Sequence, residues 1–505
     1  MTQLPTTDWC AKWALYSPEK IAFKEFETGR TLTYGRLNQA ANSLAWLFTR
    51  QYGLTKGDRI AILSDYSLEY MVLFAMAQKT GIILVPLNYR LTSSELDFML
   101  KNAAPGMVIT EPKYQHLLDS ARTYSRVKHR ISTEELTAGL TTKELTEPFP
   151  PAIIKDSDPV FILYTSGTTG HPKGALYTHK MQFWNSINTA ISLIVNAESR
   201  TLLFAPPFHT GGWNVLTTPF LHHGGYTCIL KKFDPATVLT LLQTERCTLF
   251  FGVPTMLKML AEEPAFTQAT FPELHYVIVG GEPLPLPLIE IWTQKGVPVR
   301  QGYGLTEVGP NLTSLHQDDA VRKRGSIGRP NFYVETFIAD EQGQLCRPDQ
   351  PGELWLRGPM VTPGYWRNKS ETTRAFASGG WFKTGDLVRQ DAEGYLYVVD
   401  RIKNMFISGG ENVYPVELER ILQTHPVISE AAVVGVPDDK WGEVGIAFVV
   451  CKPGHSISEE DVIHFCKQHL AKYKVPKKIV FLEALPKNDT GKINRISLKQ
   501  RALAT

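Results

Sequence analysis

Apolar residues near the start of the chain alternate between the spacing of a strand and the spacing of a helix. A continuous apolar run over residues 59–64 predicts a buried strand, and the apolar residues of 67–80 recur at the spacing of an amphipathic helix. A second apolar run over residues 82–87 predicts another buried strand. A strand, a helix and a strand in this order predict a β-α-β unit.

The same alternation returns in the middle of the chain. Strands are predicted over residues 201–204, 226–230, 248–253, 276–281 and 297–301. Among them, Asp234 is a suitable N-cap and Pro235 a suitable first-turn residue for a helix that runs to residue 246. The alternation predicts parallel sheets covered by helices. The last two strands run into glycines, and ligands bind beyond the carboxyl ends of strands in such sheets, so we expect a ligand site there.

The pattern changes at about residue 334 to short strands separated by turn residues. Strands over residues 353–357 and 395–399 predict a β-rich subdomain. The elements predicted after Asp400 are a helix over 416–423 opened by Pro415, strands over 431–436 and 446–450, a helix capped by Ser458 that runs to 469, and a strand over 478–482. They form a small α+β domain of about a hundred residues. We therefore predict two domains, over residues 1–400 and 401–505.

Composition and charge exclude several classes of protein. With 43% apolar and 20% charged residues over 505 positions, the chain can bury a sizeable core and is not a disordered polyelectrolyte. Lys and Arg number 53 against 50 Asp and Glu, and a net charge of +3 is too small for a nucleic-acid-binding surface. Anion binding must then be a local property of one site.

The six cysteines predict reduced thiols rather than a metal site. None of them forms a CxxC pair, and no Cys/His spacing suits zinc. Residues 1–20 lack the apolar core of a secretory signal. Polar residues interrupt the apolar stretch over 70–87, so no transmembrane segment is expected. We predict a cytoplasmic protein.

The sharpest motif is a loop rich in glycine and hydroxyl groups, YTSGTTGHPKG over residues 164–174, which follows an apolar strand predicted over 160–163. Glycines allow backbone N–H groups to converge on an anion, hydroxyl groups add donors, and Lys173 supplies a positive charge. The P-loop of NTPases has a different spacing, because Pro172 replaces its second glycine and no Ser or Thr follows Lys173. We predict a phosphate-binding loop rather than a flexible linker.

This loop resembles the signature of the adenylate-forming superfamily, which includes acyl-CoA synthetases, luciferases and the adenylation domains of peptide synthetases. Six further motifs resemble those of the family and follow in its order: GYGLTE over residues 302–307, GEL over 352–354, GWFKTGD over 380–386, DRIK over 400–403, SGGEN over 408–412 and PKNDTGK over 486–492. Together they cover nearly the whole chain. The resemblance implies an α/β fold with a large N-terminal region of two αβ subdomains plus a β-barrel subdomain, and a small mobile α+β C-terminal domain.

The resemblance also implies a nucleotide site. The loop should hold the β- and γ-phosphates of ATP through Thr165, Ser166, Gly167, Thr168, Thr169, Gly170 and Lys173. Thr306 should bond the α-phosphate, and Glu307 should hold Mg²⁺, since a carboxylate beside a hydroxyl suits a hard cation. The other residues implied for ATP are Gly281, Glu282 and Pro283 beside the adenine, Gly302, Tyr303 and Gly304, and Asp386 and Arg401 on the ribose hydroxyls. Outside this family, Asp386 and Arg401 would be interpreted as surface ion pairs.

In the C-terminal domain, the resemblance implies roles for two lysines. Lys492 should bridge the substrate carboxylate and the α-phosphate during adenylation. Lys403 falls at the hinge on which the domain turns between two half-reactions. Without the resemblance, each would be interpreted as a solvated surface lysine.

Two further motifs resemble those of CoA ligases. Ser408, Gly409 and Gly410 resemble the hairpin that lines the pantetheine tunnel, and WGE over residues 441–443 is typical of those members. The lysines at 472, 474, 477 and 478 suit either the phosphates of CoA or a solvated basic face. We therefore expect coenzyme A as the acceptor of the acyl group.

The segment APPFHTGGW over residues 205–213 occupies the place at which the family gates its acyl pocket, with His209 near the substrate carboxylate. Outside the family, a half-buried, hydrogen-bonded histidine is the usual interpretation. Gly211 and Gly212 lack side chains that would fill the pocket, and Trp213 and its neighbours are apolar, which predicts a roomy apolar acyl site. Residues 208–221 contain no acidic side chain to pair with a substrate ammonium, so amino acids are disfavoured.

These observations together predict an AMP-forming acyl-CoA synthetase, an acid–thiol ligase. Its substrates would be ATP with Mg²⁺, coenzyme A and a small-molecule carboxylate, with a medium- or long-chain fatty acid favoured. Three alternatives stay open: an aryl or aryl-alkyl acid:CoA ligase, an acyl-AMP ligase that loads a carrier protein, and a kinase or ATPase that cuts the γ-phosphate. The sequence indicates no nucleic-acid partner, and it leaves a homodimer and peripheral contact with a membrane surface open.

Overall fold

The computed structural model describes residues 7–142, 147–150, 152–165, 172–281, 284–487 and 492–504. The chain divides into two compact units. The first comprises Met1–Thr336 and Leu356–Phe382, and the second comprises Phe337–Trp355 and Lys383–Thr505. The domain boundary placed between residues 400 and 401 stays a prediction.

Helices and strands alternate along the first unit. Its helices are α1 (Trp9–Tyr16), α2 (Tyr34–Trp46), α3 (Leu68–Thr80), α4 (Ser93–Ala103), α5 (Gln115–Asp119), α6 (Thr133–Thr142), α7 (His179–Leu193), α8 (Thr217–His223), α9 (Pro235–Thr244), α10 (Pro254–Glu262), α11 (Leu286–Gln294) and α12 (Lys369–Ala375). Its strands are β1 (Ile21–Glu25), β2 (Thr31–Thr33), β3 (Arg59–Leu63), β4 (Ile83–Pro86), β5 (Met107–Thr110), β6 (His129–Ser132), β7 (Pro159–Thr165), β8 (Lys173–Thr178), β9 (Arg200–Leu203), β10 (Tyr226–Ile229), β11 (Leu249–Gly252), β12 (Tyr276–Val279), β13 (Val299–Tyr303), β14 (Thr313–Ser314) and β15 (Arg329–Pro330).

Three sheets order these strands. Over the described residues they are a six-stranded sheet β6-β5-β3-β4-β7-β8, a four-stranded sheet β2-β1-β10-β9 and a five-stranded sheet β11-β12-β13-β14-β15. β3 and β4 pair in parallel and α3 connects them, which confirms the first β-α-β unit. Ser67 begins α3, because its side chain accepts a hydrogen bond from the backbone N–H of Tyr70.

Two strand pairs of the first unit carry residues implied for nucleotide binding. β7 and β8 are antiparallel, and Thr165 at the end of β7 lies opposite Lys173 at the start of β8. β12 and β13 are parallel, so the glycines that follow them lie at the same edge of their sheet. Parallel pairing of the strands predicted over 276–281 and 297–301 is therefore confirmed.

An aromatic cluster around Trp213 forms part of the core of the first unit. Its indole is fully buried, and the rings of Tyr66, Tyr70, Phe74 and Phe161 lie 5.1 to 5.4 Å from it. The indole N–H donates to the carbonyl of residue 207 at 2.7 Å, which satisfies its buried donor. The cluster therefore fixes one end of the segment that was predicted to gate the acyl pocket.

The second unit is built mainly from antiparallel strands with helices packed on them. Its helices are α13 (Pro415–Gln423), α14 (Glu459–His469) and α15 (Arg495–Ala504). Its strands, three of which extend by a residue or two into the first unit, are β16 (Glu335–Ala339), β17 (Gly352–Arg357), β18 (Phe382–Gln390), β19 (Leu396–Arg401), β20 (Phe406–Ser408), β21 (Glu411–Val413), β22 (Ile428–Asp438), β23 (Gly442–Cys451) and β24 (Lys478–Phe481).

These strands form two sheets over the described residues. β16-β17-β18-β19 is the β-rich region predicted from about residue 334, and β21-β20-β23-β22 is the sheet of the final α+β region, with β24 added beside β23. The mixed α/β class, with a large N-terminal and a smaller C-terminal part, is confirmed. None of the helices in the described parts of the chain combines the length and the apolar character needed to cross a membrane.

An arginine between two carboxylates ties the N-terminal strands to α3. Arg30 Nη2 lies 2.9 Å from Glu25 Oε2, and its Nη1 lies 2.6 Å from Glu69 Oε1. The Glu25 and Glu69 side chains are only 1% and 10% exposed, so both carboxylates need the guanidinium. Burial acts to raise the pKa of Glu69, but the bonds from Arg30 outweigh burial and hold that pKa below its ordinary value.

We predict that Arg30→Ala lowers the free energy of unfolding by about 2 kcal/mol near neutral pH, because two buried carboxylates lose their cation. Wild-type Glu69 titrates below its ordinary pKa, whereas an unpaired buried carboxylate titrates above it. The deficit should therefore shrink as the pH falls from about 7 to about 5, which urea unfolding measures. Lys258→Ala, which removes an exposed pair with Glu262, is the control and should cost less than about 0.5 kcal/mol. A loss that does not change with pH would contradict this account.

Candidate active site

The strands β7 and β8 hold the two ends of the predicted phosphate loop. Thr165 and Lys173 are direct partners across this antiparallel pair, and the Thr165 hydroxyl contacts the Lys173 carbonyl oxygen at 3.5 Å. The residues predicted to hold phosphates between them lie outside the described residues: Ser166, Gly167, Thr168, Thr169 and Gly170. The two described ends of the loop are therefore held together by β-sheet pairing.

Lys173 forms an ion pair with Glu371, the third residue of α12. Both side chains are shielded from water, with 13% and 11% of their surfaces exposed. Arg374, one turn further along α12, pairs with the other carboxylate oxygen of Glu371. The bond to Lys173 is the main cause that holds the pKa of the Glu371 carboxyl below its ordinary value. The carboxylate is therefore charged at neutral pH.

Glu307 lies beside the same loop, in a short 3₁₀ turn that begins at Thr306. Its Oε1 accepts hydrogen bonds from the hydroxyl of Thr165 at 3.2 Å and from the hydroxyl of Tyr365 at 3.0 Å. Burial, and then the charge of Glu307, raise the pKa of Tyr365, which keeps that hydroxyl protonated as a donor. Among the described residues both bonds go to Oε1, which leaves Oε2 for a cation. Carboxylate and hydroxyl oxygens are the ligands that Mg²⁺ prefers, so the residues present fit this ion.

Close backbone approach shapes the turn after β13. A Cβ added to Gly304 would lie 2.1 Å from the carbonyl oxygen of Pro310, so no residue with a side chain fits there. Gly302 and Tyr303 end β13 and pair with β14 in antiparallel register. Gly304 is therefore required for the close approach of this turn to the backbone of Pro310.

The end of β12 is open at Gly281. This glycine has a φ of +89°, and a Cβ built there would lie more than 4 Å from the described residues other than its chain neighbours. Open space beside a residue without a side chain suits the close passage of a flat base, as predicted for adenine. Glu282 and Pro283, the other two residues implied on this side, lie outside the described residues.

His209 lies in a turn that follows β9. Its backbone N–H donates to the carbonyl of Pro206 at 3.1 Å, and its own carbonyl accepts from the N–H of Gly212 at the same distance. Its half-buried ring lies 4.6 Å from the ring of Phe208. The turn therefore holds the histidine through the backbone at both ends.

Beside this turn, the structure contains a small apolar pocket. Its cavity volume is about 10 Å³, and it is lined by Leu202, Leu203, Phe204, Ala205, Gly211, Gly212, Leu216, Thr217 and Phe251. The two glycines and Leu216 lie at the pocket as predicted, whereas Trp213 belongs to the aromatic core. No charged side chain is part of this lining.

In the second unit, Asp386 and Arg401 face each other across β18 and β19. Arg401 Nε lies 2.9 Å from Asp386 Oδ1, and the aspartate is only 2% exposed. The pair is therefore an ion pair, and the side chain of Arg401 is 44% exposed.

Lys403 lies in an exposed turn directly after β19. Buried Asp400 holds this turn, because one of its oxygens accepts from the backbone N–H of Arg401 at 2.6 Å and from the side-chain amide of Asn404 at 3.2 Å. Its other oxygen accepts from the N–H of Val416 at the start of α13, at 2.9 Å. Burial raises the pKa of Asp400 despite the bonds from these backbone donors. One carboxylate thus connects the predicted hinge to the following helix.

The hairpin between β20 and β21 contacts the WGE motif, although about 30 residues separate them. Gly409 and Gly410 turn the hairpin with φ of +62° and +85°, and Ser408 before them is buried. The N–H of Gly409 donates to the carbonyl of Trp441 at 2.8 Å, and a Cβ at this glycine would lie 2.9 Å from the indole. The backbone N–H of residue 407 donates to Glu443 at 3.0 Å. The two motifs that resemble CoA ligases therefore form one structure.

Three further lysines of the second unit belong to the regions predicted to bind CoA or the substrate. Lys474 pairs with Glu417 at 2.7 Å and Lys477 pairs with Asp438, so these two members of the basic cluster are already compensated. Lys492 is exposed, beside a bridge between residues 487 and 493 that closes its loop. The second unit thus presents Lys492 on a loop whose base is tied.

Tyr365, Glu371 and Phe251 are among the residues at these sites that were not predicted from the sequence. The sequence does contain a helix N-cap near Glu371. Asn368, three residues earlier, caps α12 by accepting a hydrogen bond from the Glu371 N–H. That signal predicts a helix, but it does not predict a contact with a lysine 198 residues away.

Comparison with known proteins gives the family. Residues 10–366 match the AMP-binding enzyme family, and residues 417–492 match the AMP-binding enzyme C-terminal domain. The long-chain-fatty-acid–CoA ligase FadD13 of Mycobacterium tuberculosis is 38% identical over 97% of each chain. The feruloyl-CoA synthase of Amycolatopsis sp. is 37% identical over 98% of each chain. O-succinylbenzoate coenzyme A synthetase (MenE) from Bacillus subtilis, solved in complex with ATP and magnesium ion, gives a TM-score of 0.86 at 33% identity and covers 97% of this chain and 99% of that chain. The chain therefore belongs to the AMP-binding enzymes and, within them, to the adenylate-forming acyl-CoA synthetase superfamily.

Proposed function

We propose that this protein is an AMP-forming acyl-CoA synthetase. A carboxylate and ATP give an acyl-AMP and pyrophosphate, and the CoA thiol then takes the acyl group and releases AMP. The observation that carries the proposal is the convergence of Thr165, Lys173 and Glu307, from three separate elements, at the base of the phosphate loop. Relatives that are named CoA ligases over nearly their whole length support the same reaction.

In the first half-reaction, the first unit stabilises negative charge on the phosphates. The ammonium of Lys173 would lie near the leaving pyrophosphate, and Thr306 would bond the α-phosphate. Mg²⁺, when bound by Glu307, withdraws charge from the phosphate oxygens and makes pyrophosphate a better leaving group. Gly281, with Glu282 and Pro283, would border the adenine, and His209 would lie near the substrate carboxylate. No covalent intermediate on the enzyme is needed.

The second unit supplies groups to both half-reactions. Asp386 and Arg401 suit the two ribose hydroxyls, because an acceptor and a donor stand side by side 2.9 Å apart. Lys492 offsets the charge shared by the carboxylate and the α-phosphate during adenylation. The hairpin of Ser408, Gly409 and Gly410 would line the tunnel through which the pantetheine arm of CoA reaches the acyl group. Lys403 would be the hinge at a domain boundary between residues 400 and 401.

The substrate is a carboxylic acid with an apolar body. The pocket beside His209 is lined largely by aliphatic side chains, two glycines and Phe251, and its cavity of about 10 Å³ would have to open before an alkyl chain or an aromatic ring could enter. A medium- or long-chain fatty acid is the first candidate, and an aryl or aryl-alkyl acid is the second. Relatives named for a long-chain fatty acid and for feruloyl-CoA support both.

The thiol acceptor is tested separately. Competition between CoA and a pantetheinylated carrier protein for the acyl group distinguishes a CoA ligase from a carrier-loading enzyme.

We place the reaction in the cytoplasm. All six cysteines are free thiols and four of them are buried, which suits a reducing compartment. A homodimer stays a prediction, which sedimentation equilibrium of the purified protein measures.

A panel of acids tests the proposed substrate class. Pyrophosphate release should be stimulated by fatty or aryl-alkyl acids and not by free amino acids, because the pocket offers no carboxylate to pair with an ammonium. The measurement is initial pyrophosphate release with ATP and Mg²⁺ over short, medium and long fatty acids, aryl acids and amino acids. Robust turnover of an amino acid would overturn the pocket argument, and ADP in place of AMP would identify a kinase or ATPase.

Replacing Lys173 tests the phosphate site. Lys173→Ala removes a charge near the leaving pyrophosphate, so adenylation should slow on the order of 10²–10³-fold. Thioester formation from synthetic acyl-AMP, which contains no pyrophosphate, should be far less affected. Stopped-flow measurement of each half-reaction checks this. Equal losses in both would indicate a folding defect instead.

Two lysines of the second unit should affect opposite half-reactions. Lys492→Ala should slow adenylation on the order of 10²–10³-fold and spare CoA attack on preformed acyl-AMP. Lys403→Pro restricts φ and removes a backbone donor at the hinge, so it should chiefly damage thioester formation. After circular dichroism confirms that both variants fold, the two half-reactions are timed separately. Parallel loss of both steps in both variants would refute the rotating-domain assignment.

A further inference from the structure

Residues 362–374, which we call the brace, run along β8 and end in α12. The N–H of Leu176 donates to the carbonyl of Gly364 at 3.1 Å, and the N–H of Trp366 donates to the carbonyl of Gly174 at 2.7 Å. Tyr365 also forms an isolated β-bridge with the residue between them, Ala175. The brace is therefore hydrogen-bonded to the strand whose first residue is Lys173.

The helix at the end of the brace has a fixed orientation. Asn368 caps α12 by accepting from the Glu371 N–H at 3.1 Å, and the N–H of Tyr365 donates to the hydroxyl of Thr372 at 3.0 Å. A Cβ on Gly364 would lie 2.4 Å from the Thr372 side chain, so the helix packs directly on the backbone of the brace. These contacts leave α12 little freedom to rotate and aim Glu371 at Lys173.

The carboxylate of Glu371 is held from both sides. Its Oε2 pairs with Lys173 and its Oε1 pairs with Arg374, which Ser370 fixes in turn through a bond of 2.8 Å. The ring of Tyr365 lies under the ammonium, 5.5 Å from Lys173 Nζ. With only 13% of its side chain exposed, Lys173 is placed by these partners rather than by water.

We propose that Glu371 is a positioning residue for Lys173, which holds the ammonium where it meets the leaving pyrophosphate before the nucleotide arrives. The ion pair occupies one of the three ammonium hydrogens, and two remain for phosphate oxygens. Ordering a lysine side chain costs conformational entropy. Because Glu371 already orders Lys173 in the folded protein, this entropy is not lost again when the nucleotide reacts. The inference rests on the proposed function, because it assigns Lys173 to the phosphates.

An ion pair that only stabilises the fold would show the same contacts. The test therefore measures whether the effects of substituting Glu371 and Lys173 on the adenylation rate depend on each other. The proteins are the wild type, Glu371→Gln, Lys173→Ala and the double variant. If Glu371 acts through Lys173, Glu371→Gln should slow adenylation about tenfold in the wild type and change it less than about twofold when Lys173 is already alanine. Thioester formation from synthetic acyl-AMP should not change. If the adenylation rate of the double variant falls by the product of the two single-variant losses, the residues act independently and the proposal is overturned.

A second measurement follows the lysine itself and needs neither substrate nor turnover. The free protein is treated briefly with an amine-acetylating reagent, and acetylation at Lys173 is quantified by peptide mass spectrometry. Loss of the counter-ion should expose the ammonium, so acetylation of Lys173 should rise several-fold in Glu371→Gln and stay unchanged at other lysines. Unchanged labelling at Lys173 would mean that the pair does not hold the lysine in solution, and the proposal would fail.

A matched control removes a carboxylate from an ion pair far from the loop. Glu335→Gln breaks an exposed pair with Arg357 and should leave both half-reactions and the Lys173 labelling as in the wild type. If the wild type activates no acid at all, the proposed function fails, yet the labelling arm still reports on Glu371 and Lys173. If adenylation is normal and coupling is absent, only the positioning role fails.

Discussion

Charge that is shielded from water must be compensated, and this constraint organises the nucleotide site of the first unit. Lys173, Glu307 and Glu371 lie close to one loop, where an unpaired charge would be costly. Each one is therefore tied to a partner from a distant part of the sequence: Lys173 to α12, and Glu307 to β7 and to Tyr365. The partners connect distant segments of the chain, and the site is ordered by the ion pair of Lys173 with Glu371 and by the hydroxyl groups that bond Glu307.

The second unit uses the same principle at one buried carboxylate. Asp400 is 1% exposed, and it accepts hydrogen bonds from the turn that contains Lys403 and from the first turn of α13. The bonded N–H groups offset the cost of burying this aspartate. A single side chain thus holds both ends of a turn that was predicted to act as a hinge.

Sequence patterns predicted what depends on local periodicity and motif order. The unit of β3, α3 and β4 was predictable because its apolar runs lie within about thirty residues of one another, although α3 is buried on every face and is not the amphipathic helix that its spacing predicted. Asp386 and Arg401 were interpreted either as ribose-binding residues or as a surface ion pair. The two interpretations are compatible, because the residues form an ion pair and the arginine side chain is still partly exposed.

The positions of residues that are held by contacts with distant segments of the chain were not predictable from the sequence. Trp213 follows the pocket glycines in sequence, but rings from other segments draw it into the core. Tyr365 and Glu371 belong to no motif that was recognised, because their role exists only after the brace pairs with β8.

The distance along the chain between Lys173 and Glu371 has a consequence for recombination. The interval between them, residues 174–370, includes the residues that line the acyl pocket, so a single crossover inside it between two relatives separates the lysine from the glutamate and from the helix that presents the glutamate. A chimera joined inside this interval takes one partner from each parent. Its compatibility will depend on how well a foreign α12 meets the native loop, and crossover points placed before residue 173 and after residue 374 keep the pair intact.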